Sequence, residues 1–244
     1  MGDTRLAAGV EIVLPPEQSH YLANVLRLGV GEEVHVFNAA HGEWLGKIAS
    51  SKKQEVRILL QEQSRLPLTS CALRLTLAFA PLKKTRTDFV VEKAGELGVH
   101  ILQPVITDHT QAERVNVERL QTIAIEAAEQ CDRLDAPTVL PPLKLSNYLS
   151  ELPKDALVFL AAESGNALPI AQAFEKIKLE MEDVQNIHFL IGPEGGFSEK
   201  EFALFDRYPN IRRIRMGARL LRAETAAVAV LSNFQAILGD WQSK

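Results

Sequence analysis

The run Gly192-Pro193-Glu194-Gly195-Gly196-Phe197 follows an apolar stretch, Ile187 to Ile191, and leads into Ser198-Glu199-Lys200-Glu201. Ser198 and Glu201 stand at capping-box spacing, so a helix is expected to begin there. A glycine-bearing turn between strand and helix lets main chain approach a ligand, because glycine has no Cβ to hold the ligand off. The run is neither a dinucleotide fingerprint nor a P-loop, since no Gly-Lys-Ser/Thr follows. Glu194 within it disfavours phosphate and suits a cationic or hydroxyl-bearing ligand. On spacing alone, a tight structural turn explains the run equally well.

A second run, Met216-Gly217-Ala218-Arg219-Leu220-Leu221-Arg222-Ala223-Glu224-Thr225-Ala226, also follows an apolar stretch and precedes a helix. Loops after successive strands open at the carboxyl edge of a parallel sheet, so the two runs can border one crevice. Arg222 either serves that crevice or pairs locally with Glu224, whose charge suits a helix start. A third group, Glu126, Gln130 and Arg133, lies at i, i+4 and i+7 on one helical face. That face either lines a site or is simply solvated. His20, His35, His41, His100, His109 and His188 are scattered without ligand spacing, so no metal site is expected.

The elements that position these residues differ along the chain. Apolar residues near helical spacing mark an amphipathic helix from Pro15 to Leu28. Short strands follow at Val34 to Phe37, Trp44 to Ile48 and Val56 to Leu60, which predicts a small β-barrel-like module ending near Pro67. Beyond Cys71, strands are predicted at Leu73 to Ala78, Ile101 to Val105, Ala156 to Ala161, Ile187 to Ile191 and Ile211 to Arg215. Helices alternate with them at Thr87 to Leu97, Val117 to Cys131, Leu168 to Ile177, Ser198 to Phe205 and Glu224 to Leu238. That alternation predicts an α/β domain with a mostly parallel sheet.

The net charge of −4 excludes a wholly basic coat for nucleic acid, and 46% hydrophobic residues exclude a long disordered chain. Charge is nevertheless local. Arg207, Arg212, Arg213, Arg215, Arg219 and Arg222 are opposed only by Asp206, immediately before their span, and Lys83, Lys84 and Arg86 form another group. Such patches on an acidic protein suit selective RNA binding through phosphate contacts. Cys71 and Cys131 are too few for a disulfide scaffold. With no signal-like N-terminus and no long apolar run, a soluble cytoplasmic protein without a membrane partner is expected.

Four segments, Ile191 to Ser198, Leu220 to Ala226, Glu126 to Arg133 and Glu92 to Val99, closely resemble the ribosomal RNA small subunit methyltransferase E family. His20 to Leu28 resembles that family's first module, and the likeness spans nearly the whole chain. The resemblance implies a PUA-like β-barrel domain over residues 1–69. It implies a SPOUT-type domain with a C-terminal trefoil knot over 70–244, working as a homodimer. True knots are rare, and nothing in the periodicity indicates one. The implied reaction is methyl transfer from S-adenosylmethionine to uridine N3 in small-subunit (16S) ribosomal RNA, free or in the assembled small subunit.

The same likeness implies cofactor contacts from Ala162, Leu190, Ile191, Gly192, Pro193, Gly195 and Gly196, then Met216, Gly217, Leu220, Leu221, Arg222, Ala223 and Thr225. Arg27, Lys83, Lys84 and Arg86 are expected to contact the RNA. Uracil N3 is a poor nucleophile until it loses its proton, and the resulting charge spreads onto the carbonyl oxygens. The site therefore needs a proton acceptor, Glu194 or Glu126, and a cation or donor such as Arg222 or Arg133, with Gln130 beside them. The alternatives are a SPOUT-like enzyme acting at another RNA position and a catalytically silent RNA-binding assembly factor.

Overall fold

The computed structural model describes residues 4–52, 55–67, 73–111, 114–162, 166–178 and 184–242, with Lys84 described through its backbone only. Cys71 and the expected boundary at residues 69 and 70 lie outside these. Contacts divide the chain into two compact units, residues 1–71 and 72–244.

The first unit contains β1 (Glu11–Val13), α1 (Pro16–His20), a π-helical turn (Tyr21–Val25), β2 (Glu33–Asn38), β3 (Gly42–Lys52) and β4 (Glu55–Arg65). Its strands form one antiparallel sheet in the order β1-β4-β3-β2. Three register shifts bend the β3–β4 pair. Period-two alternation turns Val34 and Val36 of β2, and Val56, Ile58 and Leu60 of β4, into one small core. The single amphipathic helix expected from Pro15 to Leu28 is interrupted. At Leu26 the backbone N–H bonds back to the carbonyl of Tyr21, five residues earlier, at 3.0 Å. That wider winding changes the helical phase, so Tyr21, Val25 and Leu26 are exposed rather than buried.

The second unit runs β5 (Arg74–Phe79), α2 (Lys84–Glu96), β6 (Ile101–Ile106), α3 (Val117–Gln130), β7 (Thr138–Val139), β8 (Leu143–Lys144) and α4 (Leu145–Ser150). It continues through β9 (Ala156–Ala161), β10 (Leu168–Pro169), α5 (Ile170–Lys178), β11 (Asn186–Ile191), α6 (Glu199–Phe205), β12 (Ile211–Arg215) and α7 (Ala223–Ile237). The sheet order is β10-β12-β9-β11-β5-β6-β7, with β8 beside β6. All of these pairs are parallel.

Helices cover both faces, so the central strands are apolar on both sides. In β11, Ile187, Phe189 and Ile191 face a core closed by α2, α3, α5 and α7, where Phe159, Phe174, Phe189 and Phe234 pack ring to ring. Leu190 faces the opposite core, under α4 and α6. His188 shares that side and meets the Tyr148 hydroxyl at 2.9 Å. Burial pushes the His188 imidazole down to about 4 and the Tyr148 phenol well above its usual range. Among the described residues no helix is long and apolar enough to cross a membrane.

Candidate active site

Because β9, β11 and β12 are parallel neighbours, the chain segments leaving their carboxyl ends meet. They enclose a cavity of about 520 Å³. β11 contributes Ile191 and the turn Gly192, Pro193, Glu194, Gly196 and Phe197; β12 contributes Ile214, Arg215 and the segment Met216, Gly217, Arg219, Leu220, Leu221 and Arg222. Ala161 and Ala162 follow from β9, Ala223 and Ala226 from the start of α7, and Phe202 from α6.

The first turn is braced from two sides. Ser198 caps α6 by accepting from the Glu201 N–H, while the Glu201 carboxylate accepts from the Ser198 N–H at 2.8 Å, the capping box expected from spacing. The buried Glu201 also accepts from the Asp108 N–H at 2.9 Å, and Ser198 Oγ donates to Asp108 at 2.6 Å. His109 Nδ1 lies 3.0 Å from the Gly196 carbonyl. These contacts tie the turn to the segment after β6. Gly196 adopts φ +69°, a left-handed conformation that glycine takes without penalty. At Gly192 a Cβ would stand 2.7 Å from the Phe197 ring.

Of the residues expected to hold a cofactor, Ala162, Ile191, Gly192, Pro193, Gly196, Met216, Gly217, Leu220, Leu221, Arg222 and Ala223 border the cavity. Three expected contacts stand outside its lining. Leu190 points into the α4–α6 core, and Thr225 is exposed on α7. A Cβ on Gly195 would face His109 at 3.2 Å. Sequence reasoning passed over Phe197, Phe202, Arg215 and Arg219 as cavity residues. Phe197 adjoins the glycines, and the two arginines sat within the recognised basic run, so position after β12 was the available signal.

The charged residues expected to do chemistry separate in the structure. Arg222 borders the cavity, exposed, and makes no ion pair among the described residues. Glu224 is instead reached by Arg86, whose Nε lies 3.6 Å from its Oε1. Arg86 Nη1 pairs with Glu194, so one guanidinium from the first turn of α2 holds carboxylates of both loops. The other oxygen of Glu224 is buried and has no hydrogen-bond partner among the described residues.

Arg133 sits just beyond α3 and turns to backbone, donating to the carbonyls of Gly95 at 2.7 Å and Val99 at 2.9 Å while pairing with Asp135 at 2.9 Å. Glu126 and Gln130 are exposed on α3 and do not border the cavity. Lys83 lines a second cavity, described below, and Arg27 belongs to the first unit, where it is exposed at φ +58°. The Lys84 side chain lies outside the described residues. Of the arginine run, Arg213 pairs with Asp206 at 2.6 Å and covers the Phe202 ring at 5.1 Å, whereas Arg215, Arg219 and Arg222 reach the cavity. Among the described residues there is no cluster of His, Cys, Asp and Glu that could hold a metal ion.

A parallel sheet with a ligand-sized cavity between two glycine-bearing loops defines a nucleotide- or cofactor-using α/β protein. The RNA methyltransferase domain model matches residues 69–235, and the RNA methyltransferase PUA domain model matches residues 14–61. The chain is therefore an RNA methyltransferase by family, with a PUA domain ahead of the RNA methyltransferase domain in sequence. It is 32% identical to Ribosomal RNA small subunit methyltransferase E of Rickettsia conorii, over 98% of this chain and 94% of that protein. It belongs to the ribosomal RNA small subunit methyltransferase E family.

Among solved structures, the Neisseria gonorrhoeae protein of that name, bound to S-adenosylmethionine, is 26% identical with a TM-score of 0.83, covering 98% of this chain and 96% of that one. A Legionella pneumophila protein solved with bound S-adenosylmethionine is 28% identical with a TM-score of 0.79, covering 96% of this chain and 94% of that one.

Proposed function

We propose that this chain methylates N3 of a uridine in small-subunit ribosomal RNA, using S-adenosylmethionine, as a cytoplasmic homodimer. The observation that supports this most is the cavity between Gly192–Phe197 and Met216–Arg222, coupled with relatives that hold this cofactor in the same fold. Its volume of about 520 Å³ falls within the range of small-molecule sites. Main-chain groups of Gly192, Gly196 and Gly217 are free of Cβ cover and suit an adenine edge, while Phe197, Leu220, Leu221 and Ala223 supply apolar wall. The Glu194 carboxylate suits a ligand that carries positive charge. Bound there, S-adenosylmethionine supplies a methyl group on a cationic sulfur.

Arg222 then lies where it can hold the negative charge that spreads over the uracil carbonyl oxygens once N3 is deprotonated. Glu194 is the proton acceptor we assign, since Glu126 stands away from the cavity of its own chain. Glu126 and Gln130 would reach a site only from a second chain. Leu220, 82% exposed beside the cavity, is an apolar group such a partner would cover. We read the passage from β11 through both loops into α7 as the trefoil knot of the class.

The test incubates the protein and S-adenosylmethionine with assembled small subunits and with free 16S RNA, followed by mass mapping of the nucleosides. 3-Methyluridine at a single position is the expected product. A methyl group on another nucleoside overturns the N3 assignment. Absence of cofactor binding by calorimetry overturns the enzyme reading in favour of a silent assembly factor.

A further inference from the structure

A second cavity, of about 530 Å³, opens one step along the same sheet edge, at the carboxyl ends of β5 and β6. Its cations are Lys83, Arg114 and Arg119, and no described acidic residue borders it. Arg119 is committed to Asp88 through hydrogen bonds of 2.6 and 2.7 Å. Lys83 and Arg114 are exposed and have no ion-pair partner among the described residues. Leu82, Val115 and Leu120 give the cavity an apolar wall beside these charges. Lys83 also precedes α2 without any side chain capping that helix, so the first-turn amides add to the positive potential.

The position relative to the first cavity is informative. Thr87, on the first turn of α2, borders the second cavity, while its chain neighbour Arg86 reaches Glu194, which borders the first. That ion pair spans the wall between them. A group seated in the second cavity therefore stands next to the cofactor cavity and outside it. Two uncommitted cations beside an apolar wall match the chemistry of one nucleotide, an anionic phosphate joined to a flat, weakly polar base.

We propose that this second cavity is a nucleotide subsite for the RNA substrate. Lys83 and Arg114 take a backbone phosphate, and the wall of Leu82 and Val115 takes the base or ribose of a nucleotide neighbouring the one that reacts. The inference rests on the RNA methyltransferase reading above.

The test uses the full chain and measures binding of a 16S RNA fragment against salt concentration, which needs no turnover and so stands apart from whether the protein methylates. The double variant Lys83→Ala/Arg114→Ala is compared with Lys176→Ala/Lys178→Ala, which removes the same charge from exposed positions on α5. Each lost phosphate contact should reduce the slope of log K against log salt by about 1. The first double variant gives up the one phosphate that both cations hold, so it should lose about 1 in slope and bind more weakly, with cofactor affinity unchanged, while the second keeps the parent slope. Equal slopes in all three proteins, or equal losses in both variants, overturn the subsite. In a second measurement, photo-crosslinks from 4-thiouridine-bearing RNA should fall on residues 81–87 or 114–120. Crosslinks confined to other segments overturn the proposal.

Discussion

Arg86, on the first turn of α2, is bound to Glu194, in the turn after β11, where Glu194 borders the first cavity. Its guanidinium also faces Glu224 at the start of α7. A residue that reads in sequence as one of three neighbouring RNA-binding cations has its charge taken up by two carboxylates of its own chain. That guanidinium ties the turn after β11 and the start of α7 to α2, so removing it loosens the loops that border the cavity. Arg86→Ala should therefore weaken S-adenosylmethionine binding by about fivefold, the upper end for a partly exposed pair, while the salt slope of RNA binding stays at the parent value. Arg86→Lys keeps the charge and loses the planar fork, and should fall between. Calorimetry on the cofactor and salt titration of RNA binding separate these; a changed RNA slope with normal cofactor affinity returns Arg86 to the RNA surface.

Arg222 borders the cavity without pairing to Glu224, so its loss should be read in turnover. Arg222→Ala should lower methyl transfer on the order of a hundredfold, with Arg222→Lys intermediate and the melting temperature nearly unchanged. Both quantities are measured on the same preparations. A lower melting temperature with normal turnover assigns Arg222 to structure alone.

Arg133 should behave in the opposite way. Its two bonds to the Gly95 and Val99 carbonyls and its pair with Asp135 brace the turn after α2. Arg133→Ala should cost about 2 kcal/mol of stability, as expected for hydrogen bonds from a charged donor. Chemical denaturation measures this, and turnover per folded molecule should match the parent.

His188 makes stability depend on acid. Its folded imidazole titrates near 4, below its ordinary 6.5, because burial disfavours the charged form. Above pH 6.5 it is neutral folded and unfolded, and its contribution is fully present. Between about 6.5 and 4 only the unfolded chain takes up the proton, so stability falls with falling pH, by on the order of 3 kcal/mol over the window. His188→Gln should flatten that limb of the stability profile, measured by denaturation at stepped pH. An unchanged limb would show that other groups cause it.

The glycines of the first loop are not equivalent. A Cβ on Gly192 meets the Phe197 ring at 2.7 Å, and that ring borders the cavity. Gly192→Ala should weaken cofactor binding by about tenfold, consistent with the cost of overpacking. Gly195→Ala points to His109 instead and should leave cofactor affinity near the parent value. Equal effects at both positions would show that the loop responds as a whole.

The sequence by itself determined the α/β alternation, the capping box of Ser198 and Glu201, and the two glycine-bearing loops that border the first cavity. Each is a local property, set by hydrophobic period, capping chemistry and the absence of a Cβ within a few residues. The short elements β1, β7, β8 and α4 went unpredicted, and β10 takes the first two residues of the helix expected from Leu168 to Ile177, because two to six residues leave only weak periodic signals. Tertiary structure alone decided the destination of each charge. Arg86 meets Glu194 across more than a hundred residues of chain because β5 and β11 are sheet neighbours. Arg133 shares a helical phase with Glu126 and Gln130, yet Asp132 at φ +57° ends the helix and turns it to backbone. A guanidinium can reach whichever carboxylate or carbonyl the fold places within its span. That choice depends on strand order, which residue spacing along the chain does not encode.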